Sequence, residues 1–165
     1  MHVKRVADRE SAAGAGEHRA LRLWLRLLTC TQLIERTVRS RLRVRYATTL
    51  PRFDLMSQLQ RHPEGLKMNE LSRRMMVTGG NITGIVDQLA REGLVERTID
   101  TDRRAYRICL TRDGARAFGE MAREHEAWIL RMTAGLSNRE HAELLALLAK
   151  LKRSCADATH KGDPK

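Results

Sequence analysis

Cysteine is scarce and poorly placed for cross-linking: Cys30, Cys109 and Cys155 are odd in number, far apart in the 165-residue chain and without a partner at metal-ligand spacing. That excludes a disulfide framework or a zinc knuckle, and a reducing compartment, the cytoplasm, is the natural setting. Long apolar runs are missing too. No segment approaches the roughly eighteen apolar residues of a membrane helix, and mean hydropathy is −0.47. Residues 1–17 are charged and lack the apolar stretch of a secretory signal, so neither a membrane partner nor export is expected. The chain also lacks a Gly-rich phosphate loop, a His pair at i,i+4, and a Ser, His and acid set in a recognisable local context. It is not expected to be an enzyme; no catalytic residue, metal ligand or cofactor is assigned.

Acid is the remaining deficit. Against 31 Lys and Arg stand 20 Asp and Glu, a formal charge of +11, which points to a polyanionic partner. The excess is uneven: residues 1–50 hold eleven basic and four acidic residues, whereas 51–110 and 111–165 each hold ten and eight.

What is present is mostly helical periodicity. After a flexible basic arm over 1–17, residues 18–50 have no Gly or Pro, and residues 21, 24/25, 28, 31, 34, 38 and 42 mark one face at three-four spacing. Pro51 suits a first helical turn, and Phe53, Leu55, Met56 and Leu59 continue as a short helix to His62-Pro63-Glu64-Gly65. A third helix runs from Met68 to about Met75. Thr78-Gly79-Gly80-Asn81 then leads into Ile82, Ile85/Val86 and Leu89, closed by Gly93. Leu94–Ile99 and Tyr106–Leu110 read as two strands joined by the charged tip Asp100-Thr101-Asp102-Arg103-Arg104.

Helix, turn, helix and hairpin over 51–111 make a winged helix-turn-helix. Helices over 112–157 follow, the last opening on the capping box Ser137-Asn138-Arg139-Glu140 and carrying Leu144, Leu145, Leu148, Leu151 and Cys155. Residues 158–165 are expected to be a disordered tail. The fold class is thus mainly α with a small β-wing. The wide apolar stripes of the end helices, with no internal partner long enough to cover them, predict a homodimer.

In this arrangement Thr78, Gly80, Asn81, Thr83 and Gln88 fall where a recognition helix meets base edges in the major groove. Asn pairs bidentately with adenine, and Thr touches a thymine methyl. Local capping of a Gly-rich helix start is the competing role for Asn81 and Thr83. Arg73, Arg74, Arg97 and Arg103 suit phosphates, which position the protein without specifying sequence.

The sequence resembles the MarR family of bacterial transcriptional regulators over roughly residues 20–157. The segments that carry the resemblance are Leu50-Pro51-Arg52-Phe53, Glu70-Leu71-Ser72, Asn81-Ile82-Thr83 through Leu89, Gly93-Leu94-Val95-Glu96-Arg97, and Asp102-Arg103-Arg104 followed by Leu110-Thr111 and Gly114. The resemblance implies a homodimer with interlocked terminal helices and two winged lobes that read a pseudo-palindrome in double-stranded DNA. It places Arg104 in the minor groove, where a narrow tract concentrates negative potential, with Asp102 orienting it. Gly84 departs from the family, which often has Arg there.

Thr49–Met56 and Ser72–Thr78 resemble the branch that controls breakdown of hydroxycinnamate-type aromatic acids. This implies a repressor released by a small-molecule effector, an aromatic acid or its coenzyme A thioester. Arg36, Arg39, Arg41, Arg43 and Arg45 are then candidates for the thioester phosphates, with the acyl group near Trp24, Phe53 and Met56. The same arginines equally suit a solvated helix face. Cys30, at mid-helix, reads as a small seam residue rather than a redox sensor, and His125 as a core or interface histidine. The rival to a specific regulator is a sequence-independent architectural or protein-interaction winged helix.

Overall fold

The computed structural model describes residues 18–75, 82–99 and 106–161. They fall into two compact units divided within one helix, between Glu126 and Ala127.

The first unit opens with α1 (Arg19–Tyr46), a 28-residue helix that nothing in its sequence interrupts. It stops at Ala47, whose φ of 48° is left-handed, with Ala47 N–H donating to Arg43 O and Thr48 N–H to Leu42 O. Then α2 (Leu50–Gln60) starts from an extended Thr49 with Pro51 in its first turn, where the missing N–H costs nothing. Gly65, with φ of 80°, leads into β1 (Leu66–Lys67). A β-carbon at Gly65 would lie 2.5 Å from Cys109 Sγ, so the position needs glycine on two counts. From there α3 (Met68–Arg74) is opened by Glu70, whose carboxylate accepts the Lys67 backbone N–H at 2.9 Å.

Next, α4 (Ile82–Arg91) closes on Gly93, φ 71°, and the chain reverses into β2 (Val95–Ile99) and β3 (Tyr106–Leu110). The sheet is antiparallel in the order β1-β3-β2, with Val95 opposite Leu110, Ile99 opposite Tyr106, and Leu66 opposite Ile108. Thr111 ties the wing to α5 (Arg112–Thr133): its hydroxyl donates to Gly93 O at 2.6 Å and accepts the Gly114 N–H at 3.0 Å. Gly114 is obligatory there, since a β-carbon would sit 1.9 Å from Leu94 O. Leu42, Leu55, Met56, Leu59, Leu71, Val86, Leu89 and Ile108 are among the buried side chains of this unit.

The second unit holds the end of α5 and α6 (Asn138–Lys161). The expected capping box is formed: Ser137 N–H and hydroxyl both donate to a Glu140 carboxylate oxygen, at 2.8 and 2.7 Å, and Glu140 N–H donates to Ser137 Oγ.

Three expectations change. The wing has a third strand, β1, which two residues cannot announce and which exists because β3 offers it an edge. The last helix also continues to Lys161, into the stretch expected to be a tail. The Thr159 hydroxyl donates back to Cys155 O and Ala156 O, and nothing in this exposed segment breaks a helix already nucleated upstream. Cys30 is exposed in the single chain, not buried within it.

Candidate nucleic-acid interface

The reading unit is built by burying one side of α4. Val86 and Leu89 are fully buried, whereas Thr83 and Gln88 are exposed. Arg73 and Arg74 are exposed at the end of α3. Thr78, Gly80 and Asn81 in that turn, and Asp102, Arg103 and Arg104 in the wing tip, lie outside the described residues. Among the described residues, α3 and β2 both pack against α4.

Arg97, expected at a phosphate, is engaged instead by a residue that sequence reasoning missed. Its guanidinium forms an ion pair with Asp87 of α4. The Gly93 reversal lays β2 back along α4, so that a strand residue meets the helix residue ten positions earlier. A turn glycine between two amphipathic segments was the available signal. An unpaired carboxylate on the outward side of a recognition helix would repel phosphate, and Arg97 offsets that charge. Arg52, at the start of α2, makes a second such link: its side chain is 15% exposed and grips both carboxylate oxygens of Glu92, just beyond α4. Bidentate pairing of a mostly buried guanidinium fixes direction as well as distance, so the C-terminal end of α4 is anchored to α2.

Glu70 is held below the usual carboxylate range, chiefly by the Lys67 N–H that it accepts. His125 stacks on Phe53, ring centroids 4.9 Å apart, and burial lowers its pKa. Expected as a core or interface histidine, it is half-buried in the single chain.

The expected effector residues are distributed differently from a single pocket. Phe53 and Met56 are packed into the core, with Phe53 also 5.3 Å from the Phe118 ring, whereas Trp24 is 57% exposed on the first half of α1. Arg39 pairs with Glu35 one turn earlier, and Arg45 with Glu124 of α5. Arg36 and Arg43 are exposed, and Arg41 is half-buried. A surface cavity of about 280 Å³ on α1 is lined by Arg19, Arg22, Leu23 and Arg26, none of them expected. Among the described residues no group of three or more His, Cys, Asp or Glu is placed to hold a metal ion, and no helix is long and apolar enough to cross a membrane.

Comparison with known proteins agrees with this geometry. The model of the MarR family matches residues 48–106, which span α2 to the start of β3. The transcriptional activatory protein BadR of Rhodopseudomonas palustris is 30% identical over 125 residues, 74% of this chain and 70% of that protein. The HTH-type transcriptional repressor MdtR of Bacillus subtilis is 30% identical over 101 residues, 61% of this chain and 64% of that protein. A MarR family transcriptional regulator from Silicibacter pomeroyi, known from its crystal structure, superposes with a TM-score of 0.72 at 28% identity, covering 84% of this chain and 96% of that one.

Proposed function

The chain belongs to the MarR family and is a DNA-binding transcriptional regulator, not an enzyme; from that premise we propose that it binds a pseudo-palindromic operator as a homodimer, represses from it, and is released by a small organic effector. The observation that carries the operator reading is the division of α4 into a buried side, Val86 and Leu89, and an outward side, Thr83 and Gln88, behind the exposed Arg73 and Arg74. In this reading Thr83 and Gln88, with Thr78, Gly80 and Asn81, face base edges in the major groove. Arg73, Arg74 and Arg103 contact phosphates, with Arg97 shared between Asp87 and the backbone. Arg104, oriented by Asp102, enters the minor groove.

Dimerisation is supported by apolar side chains that the single chain leaves in water. On α1 these are Leu21, Leu23, Trp24, Leu28 and Leu33; on α6 they are Leu144, Leu145, Leu147 and Leu148. Rows of this size on both terminal helices are far above the scattered surface leucines of a monomer.

The effector reading is an aromatic acid or its coenzyme A thioester. Arg36 and Arg43, seven residues apart and exposed on α1, with Arg39 and Arg41 between them, suit a polyphosphate.

The test is competition binding, at fixed salt, on the DNA upstream of the protein's own gene. A specific regulator prefers one pseudo-palindrome over random duplex by about a thousandfold or more, and the aromatic thioester should weaken that complex. Equal affinity for all duplexes would replace this reading with an architectural one, and run-off transcription from the bound promoter separates repression from activation.

A further inference from the structure

We infer that Ile99 and Tyr106 form an apolar contact with the deoxyribose backbone of bound DNA and seat the wing on the duplex beside its charged contacts. The inference rests on the operator reading above and adds to it two side chains of a different chemistry.

The two residues are cross-strand partners in the outermost described pair of the wing ladder. Alternation along the strands puts Val95, Arg97 and Ile99 of β2 on one face of the sheet with Tyr106, Ile108 and Leu110 of β3. The inner part of that face is core: Val95 and Ile108 are buried. Its middle is the Asp87–Arg97 pair, which fixes it as the face turned to α4. Its outer end is Ile99 and Tyr106, 69% and 59% exposed. Among the described residues from 48 to 126 no other large apolar side chain is so exposed.

Their position along the recognition helix follows from the rises of helix and strand. From the Gly93 turn, β2 runs back along α4. Five strand residues at about 3.3 Å each cover about the same length as the ten helix residues at about 1.5 Å each. Arg97 meets Asp87, so Ile99, two residues farther from the Gly93 turn, and its partner Tyr106 lie toward the N-terminal end of α4, the end that carries Thr83.

Charge selects the occupant. Arg107 lies on the opposite face and donates to Gly65 O; on its own face the pair is flanked by Arg97, whose guanidinium also meets Asp87, and Arg103 and Arg104 stand in the tip sequence between the strands. A partner that lays apolar surface on Ile99 and Tyr106 must bring negative charge within reach of these cations. The sugar-phosphate backbone does both: its deoxyribose C–H edges are apolar and its phosphates lie on either side. In such a contact the Tyr106 hydroxyl would donate to one of those phosphates.

An apolar contact leaves a different signature from an ionic one, because it displaces no counterion. Operator affinity is measured against salt for the wild type, for Ile99→Ser combined with Tyr106→Ala, for Tyr106→Phe, and for Arg73→Ala as an ionic control. The double variant should bind about tenfold more weakly at every salt concentration, with the log–log slope unchanged. Tyr106→Phe should retain most of the affinity, and Arg73→Ala should reduce the slope by about 0.9. Hydroxyl-radical footprinting, which cuts at exposed deoxyribose, should show sugars protected by the wild type and reopened in the double variant at equal occupancy. A wild-type footprint and affinity that survive in the double variant overturn the wing contact alone, as does a loss accompanied by a changed slope. Wild-type protein that protects no duplex overturns the operator reading along with it.

Discussion

The winged lobe and the last helix dispose of their leucines in opposite ways. In the lobe, Leu55, Leu59, Leu71 and Leu89 come from three different helices and are all essentially buried. In α6, Leu145 and Leu147 are 69% and 65% exposed, and Leu144 and Leu148 are also left open to water. Composition does not distinguish the two regions, and partners do. The lobe places short elements around one another, joined by turns at Gly65 and Gly93 that return each apolar face to the others. By contrast, α6 is a single long helix that leaves its apolar side open to water in the single chain. A region that completes its own core can fold as a reading head, whereas one that cannot is suited to joining two chains.

The most severe way to test that contrast is to charge the open face. Leu145→Lys with Leu148→Lys in α6 should convert the proposed dimer to monomer at micromolar concentration in sedimentation. Operator affinity should fall by on the order of a hundredfold or more, because the two half-sites are then bound independently. If α6 were simply a solvated helix, the same exposed substitutions would be nearly neutral, and an unchanged sedimentation mass would refute the proposed role.

Leu89→Ala acts on the other side of the contrast. It removes a fully buried side chain from the inner face of α4, and the expected cost is about 2–5 kcal/mol in chemical denaturation. The dimer mass should survive as long as the chain is folded. A variant that lost dimerisation before it lost secondary structure would show that lobe and end helices do not divide the work in this way.

The same contrast explains what could be read in advance. Helices α1, α2, α4 and α5 were legible because their apolar residues recur at three-four spacing, and the α6 start because Ser137 and Glu140 form a local box. Thr83 and Gln88 were legible as outward residues by elimination. What escaped was whatever depends on another element. β1 exists through its pairing with β3, Arg97 meets Asp87 only after the chain has turned, and Arg52 reaches Glu92 across forty positions. Gly114 looked like a family mark in the sequence, and in the structure it is the place where Leu94 O leaves no room for a side chain. The α6 extension to Lys161 escaped for the opposite reason: an exposed helix end carries no apolar period to read.

The smallest expected effect lies at the rim of the lobe, where burial is partial. His125 rests on the Phe53 ring, and desolvation holds its pKa below the ordinary value of 6.5. In the unfolded chain the imidazole takes up its proton near that ordinary value, while in the fold it stays neutral to lower pH. Below about 6.5 the unfolded state therefore binds more protons. The stabilisation from a neutral His125 is complete above that pH and is lost as pH falls through the interval between the two values. Phenylalanine keeps a ring on Phe53 and cannot titrate. His125→Phe should thus flatten the decline of melting temperature below pH 6.5 and leave the curve above it parallel to wild type. Curves that stay parallel throughout would place the acid sensitivity elsewhere. They would also mean that the ring is solvated, which would move the edge of the self-completed core inward from α5.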